Sequence, residues 1–141
     1  MPSTSIKFFS ELPTFKLSHQ RKTANWLRAV CRKEGRMLDS VNYIFCSDDF
    51  LLALNGQYLK HVTFTDILSF DYTEKGKING EIYISVPRVL ENSIKYDQPF
   101  EIELRRVIVH GLLHFLGYDD KRPHQKAQMR RKEEACLSLW Q

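Results

Sequence analysis

Between Phe100 and Leu116 the chain reads FEIELRRVIVHGLLHFL, and beyond Arg106 its apolar residues surround a helical axis instead of lining one side. A helix that is apolar all round cannot lie on a surface, so this one belongs in the centre of the molecule. Asp97-Gln98-Pro99 starts it and Gly117 stops it. The rest of the chain must then supply the layers that cover it.

Those layers follow from local patterns. SIKFFS (Ser5 to Ser10) alternates enough for a short strand. From Ser18, LSHQRKTANWLRAVCRKEGR is an amphipathic helix, with Ser18 as its cap, an inner face of Ala24, Leu27, Val30 and Cys31, and Gly35 at its end. SVNYIFCS (Ser40 to Ser47) is a β-branched and aromatic strand, and Ser47-Asp48-Asp49 caps a short helix through FLLALNGQYL. DILSFDY and GEIYIS are two further strands, and TEKGKING between them implies antiparallel pairing. VPRVLENSIKY is a helix with Pro87 in its first turn. After the central helix, Pro123 opens a last helix to about Leu139, with Ala127, Ala135, Cys136 and Leu139 available to face inward. The expected fold is therefore α+β (mixed α/β): a small, mostly four-stranded sheet packed by about five helices.

A length of 141 residues suits one domain, 1–141, with a single core. Hydrophobic residues at 43% and charged residues at 27% are the balance of a soluble protein. No apolar run approaches the roughly 20 residues that span a bilayer, and the N-terminus lacks a signal-peptide pattern, so a cytoplasmic location is expected. Cys31, Cys46 and Cys136 are far apart in apolar surroundings and read as reduced, buried thiols rather than ligands.

The net charge of +4 is mild, but the cations are grouped. One run holds Lys121, Arg122, Lys126, Arg130, Arg131 and Lys132; another holds Arg21, Lys22, Arg28, Arg32, Lys33 and Arg36 against a lone Glu34. Such runs are commonly solvated helix faces. The first, however, adjoins two histidines on the central helix, where a basic rim concentrates polyanions.

His110 and His114 are four residues apart, which places them on one helical face with Cβ atoms about 5–6 Å apart. Both can reach one metal ion at about 2.0–2.1 Å. Gly117 allows the chain to reverse after the helix and return a third ligand. In HGLLHFLGYDD the two histidines, the glycine and Asp120 occupy the spacing H-x-x-x-H-x-x-G-x-x-H of a zincin-like metal helix, with aspartate in the last place. Asp120 is a legitimate zinc ligand; Asp119 and His124 are its rivals. Gly111 stands where an H-E-x-x-H peptidase carries its general base, which argues against peptide hydrolysis and leaves other metal-dependent hydrolysis open.

HGLLHFLGYDD resembles the H-G-x-L-H-x-x-G-Y-D-H signature of the bacterial YbeY family of single-strand-specific endoribonucleases. LNGQYLKHVTFTDILSFDY resembles that family's L-N-x-x-Y-R-x-x-D-x-x-T-D-V-L-S-F block, GEIYIS its next strand, and Met129 with Glu133 its M-x-x-x-E pattern. The likeness runs from about Asp39 to the C-terminus. It implies a zinc ion at His110 and His114, with Asp120 replacing the family's third histidine. It also implies a single-stranded RNA substrate, work on the 3′ end of small-subunit rRNA, ribosome quality control, and partnership with the small ribosomal subunit. The family's Y-R arginine aligns with Leu59, leaving Lys60, Lys121 and Arg122 as candidate phosphate contacts. A ribosome-associated RNA-binding factor with a structural metal is the alternative from another class.

Overall fold

The computed structural model describes residues 5–59 and 65–141. In chain order the elements are β1 (Ser5–Ser10), α1 (Gln20–Lys33), β2 (Met37–Cys46), α2 (Asp48–Leu59), β3 (Ile67–Asp71), β4 (Lys77–Ser85), α3 (Val86–Lys95), α4 (Phe100–Phe115) and α5 (Pro123–Ser138). The strands form one sheet in the order β1-β2-β4-β3. β1, β2 and β4 run parallel, and β3 pairs antiparallel with β4, as the intervening turn implies. The expected mixed architecture is present, with four strands and five helices among the described residues.

Side-chain alternation divides the sheet between two clusters. Tyr43, Phe45, Ile82 and Ile84 share the main core with Leu104, Ile108, Leu112 and Leu113 of α4. Cys46 and Leu68 turn to the other face, where Leu51 of α2 covers them. α4 is thus the buried centre, and the Tyr43 hydroxyl ties it to β2 by donating to the Ile108 carbonyl at 2.8 Å. The three cysteines are buried free thiols. Burial pushes Cys31 and Cys136 up to about 11 and Cys46 up to about 12, so none is a thiolate near neutral pH.

Four local expectations are corrected. His19, in a left-handed conformation, occupies the N-cap of α1 in place of Ser18, and no side chain caps that helix. β2 begins at Met37, three residues before Ser40, because Met37 and Leu38 pair with Lys77 and Ile78. TEKGKING is not one long turn: Lys75 and Gly76, both at positive φ, form the hairpin tip, and Lys77–Asn79 already belong to β4. In α5, Ala127 and Ala135 are exposed, and the buried positions are Met129, Glu133 and Cys136. That last face turns inward because Glu133 has partners on α4.

Candidate metal centre

The two histidines lie in the second half of α4, and the third group comes from the reversal that follows. The helix ends in a Schellman turn: Gly117 (φ +105°) donates its N–H to the His114 carbonyl at 3.1 Å, and Tyr118 donates to Leu113 at 3.0 Å. Arg36 also caps it, with Nη1 donating to the Leu116 carbonyl at 3.1 Å. The returning chain is fixed by Tyr118, whose hydroxyl donates to Glu34 Oε1 at 2.6 Å, while Lys132 of α5 donates to Glu34 Oε2 at 2.9 Å. Burial would raise the Glu34 carboxyl, but those two hydrogen bonds and the Lys132 charge outweigh it and hold it below the usual range. Residues from α1, the turn and α5 thereby place Asp120 two residues beyond Tyr118.

The result is a convergence of three donors. His110 Nε2 and His114 Nε2 are 3.1 Å apart, and Asp120 Oδ2 lies 3.3 Å from the first and 3.6 Å from the second. Ligand atoms about 2.0–2.2 Å from a common tetrahedral centre are separated by about 3.3–3.6 Å; both distances to Asp120 match this, and the one between the histidines falls just short of it. Among the described residues, this is the one group of histidine, cysteine and acidic side chains gathered closely enough to hold a metal. Asp119 and His124 are exposed and stand outside it.

Glu133 completes the arrangement from behind. Its Oε2 accepts from His110 Nδ1 at 2.6 Å, and its Oε1 accepts from Arg106 Nη1 at 3.1 Å. A carboxylate can only accept, so the proton sits on Nδ1 and the Nε2 lone pair faces Asp120 and His114. Burial disfavours the charged His110 ring, yet the Glu133 bond and charge outweigh it, and the pKa is raised. His114 moves down, through burial and then the neighbouring His110 charge. Glu133→Gln keeps the shape but offers an amide that can donate to Nδ1, favouring the wrong tautomer. It is expected to weaken divalent-ion affinity by about 10–100-fold, read by competition with a chromophoric chelator; unchanged affinity would uncouple Glu133 from the site.

A cleft of about 450 Å³ opens over these groups between β3 and α4, lined by Asp66, Ser69, Asp71, His110, His114 and Asp120. Asp66 carries no role on sequence pattern alone. Burial raises its pKa, against the lowering charge of His110. Glu133 fits a motif position, but its contact with His110 was not readable from spacing; a carboxylate on the inward stripe 129-133-136 of α5 was the available signal. Lys121 and Arg122 are exposed, directly after Asp120 and outside the cleft lining. Leu59 ends α2, and Lys60 lies outside the described residues.

An α+β domain with paired histidines on a buried helix, an acid returned by a glycine turn and an open cleft above them has the frame of a hydrolase with a candidate metal site. The chain matches the family model described as Endoribonuclease YbeY over residues 9–141, and it belongs to that family. It is 44% identical to Endoribonuclease YbeY of Cytophaga hutchinsonii over 99% of this chain and 98% of that one. It is also 44% identical to the Flavobacterium psychrophilum protein of the same name, over 89% and 90% of the two chains. The solution structure of TM1509 from Thermotoga maritima superimposes with a TM-score of 0.69 at 31% identity, covering 96% of this chain and 88% of that one.

Proposed function

We propose that this protein is a metal-dependent, single-strand-specific endoribonuclease that acts in the cytoplasm on small-subunit rRNA, with its chemistry in one domain spanning 1–141. The observation that carries this reading is the 3.1–3.6 Å convergence of His110 Nε2, His114 Nε2 and Asp120 Oδ2 under an open cleft, in a chain of the YbeY family. These three residues would hold one zinc ion. When bound, the ion supplies Lewis acidity toward a phosphate oxygen and acidity to coordinated water. Two neutral imidazoles and one carboxylate leave such a site at net +1, attractive to a phosphodiester.

The remaining work falls to the chain's own residues. Glu133 holds His110 in the ligating tautomer, and Tyr118 and Glu34 fix the turn that carries Asp120. Lys121 and Arg122, next to the cleft and free of carboxylate partners among the described residues, hold flanking phosphates; Lys60 is a further candidate. Gly111 puts no base where a peptidase has one, so peptide hydrolysis is disfavoured.

Chelator treatment of the purified protein is expected to abolish cutting of a single-stranded RNA, and zinc to restore it, with duplex RNA uncut throughout. Metal analysis should find about one ion per chain in wild type and in His124→Ala, and a loss in Asp120→Ala. Zinc retained by Asp120→Ala but lost from His124→Ala would reassign the third ligand. Leu59 at the family's arginine position favours a second reading, an RNA-binding assembly factor with a structural metal. Tight RNA binding without chelator-sensitive turnover would establish that one in place of the nuclease.

A further inference from the structure

A cavity of about 600 Å³, larger than the cleft over the histidines, opens at the opposite edge of the sheet. Its walls are β1 and α1. β1 pairs with β2 on one side only, and among the described residues no strand pairs with its outer edge. Lys7 of β1 and Arg21 and Arg28, two turns apart on α1, line the same space. Gln20 and Asn25 are its other polar lining residues, and no carboxylate lines it.

The three cations are not committed elsewhere. Among the described residues none has an acidic group within ion-pair distance, and Arg28 donates only to the neutral Asn25 Oδ1, at 2.9 Å. Other members of the two basic runs are in use: Lys132 pairs with Glu34, and Lys22 stacks on Trp140 at 4.6 Å. Phe9, at the rim, is 50% exposed, and on its far side a smaller cavity of about 170 Å³ adds Lys16. A lysine on an edge strand can simply deter strand pairing. That leaves Arg21 and Arg28 unexplained, because they stand on a helix that has no pairing edge to guard. An aromatic ring set among unpaired cations is the composition that binds single-stranded nucleic acid, phosphates on the charges and a base on the ring.

We propose that the β1–α1 groove is a second contact track for single-stranded RNA, holding a flank of the strand whose scissile bond lies over the histidines; this rests on the endoribonuclease reading above. Lys7, Arg21 and Arg28 take phosphates, and Phe9 takes a base. The two edges of the sheet are three strand spacings apart, about 14 Å, so only an RNA of several nucleotides engages both. The track therefore makes affinity depend on length while leaving the chemical step alone.

The test uses metal-loaded full-length protein and fluorescein-labelled oligouridylates of about 5 and about 20 nucleotides, lengths that bracket typical single-strand site sizes. Arg21→Gln/Arg28→Gln removes two phosphate contacts, one from an exposed and one from a half-buried position. For the long RNA it is expected to lower the slope of log Kd against log salt by about 1.4 and to raise KM, with kcat and metal content unchanged. Phe9→Ala is expected to weaken long-RNA binding about fivefold or more. Neither variant should alter binding or cleavage of the short RNA. An unchanged salt slope with the long RNA overturns the track and leaves the edge of β1 to a protein strand. Equal losses on short and long RNA also overturn it, because the cations then act at the cleft. Wild type that binds the long RNA with the length-dependent behaviour above but cuts neither RNA would count against the nuclease reading and leave the track standing.

Discussion

His114→Ala is expected to abolish bound zinc and to reduce RNA cleavage by roughly 10²–10⁴-fold, the loss of about 3–5 kcal/mol of charge stabilisation that a metal ion supplies. Of the three proposed donors, His114 gives the cleanest test. His110 is hydrogen-bonded to Glu133 and through it to Arg106, so its removal would strand a buried carboxylate. Among the described residues no buried carboxylate bonds His114; its Nε2 faces His110 and Asp120, and the ring also bonds the Tyr118 backbone. It is also part-exposed in the cleft wall, so alanine leaves an open notch and not a closed cavity. Stability should change by no more than about 1 kcal/mol. Metal analysis, melting and RNA cleavage on one preparation separate these effects. A metal-free His114→Ala protein that cleaves at the wild-type rate would end the metal mechanism.

Gly111→Glu, which writes the peptidase motif H-E-x-x-H into this helix, is expected to cost about 3 kcal/mol or more and to create no peptidase. A Cβ at Gly111 would stand 3.0 Å from Ile67 Cδ1, Ile82 Cδ1 and Ile82 Cγ2. The helix therefore rests so closely on β3 and β4 that any side chain here would push the two isoleucines aside. Glutamate would add both overlap and a carboxylate set against isoleucines. For a domain of this size the melting temperature should fall by about 10 °C or more. Gly111→Ala, which adds overlap of about 1–3 kcal/mol and recovers about 1 kcal/mol of helix propensity, should show a smaller drop. A Gly111→Glu protein melting within about 2 °C of wild type would mean that this face of α4 is not in tight contact.

Gly111 also shows how far the sequence could be read. Its identity argues directly against one chemistry, but its cause is steric, and two isoleucines from strands more than 25 residues away supply it. The same division holds across the molecule. The ends and types of the helices follow from Ser47, Pro87, Pro99, Gly117 and Pro123, local signals with local effects. The order β1-β2-β4-β3 does not, because the pairing of β2 with β4 skips over α2 and β3. The inward face of α5 was misassigned for a related reason. Alanine is apolar enough to be buried and small enough to be exposed, and the position that decides the helix's rotation is Glu133, held by His110 and Arg106 on α4. The spacing of His110, His114 and Asp120 was legible because helix and turn geometry set it. Asp66 and the inner ring of Glu133 and Arg106 were not, since folding alone brings them to the histidines.

The three candidate ligands are held by unlike means. Two ride on a helix whose pitch fixes their separation, while the third hangs from a turn pinned by Tyr118, Glu34 and Lys132. The backbone at Asp120 is therefore positioned before its own side chain is counted. A lineage can exchange the donor at that point, imidazole for carboxylate, without disturbing the packing beneath α4. Such an exchange retunes the preference among metals, since a carboxylate suits harder ions than an imidazole does. The pinned turn thus makes metal selectivity a property that evolution can adjust one residue at a time.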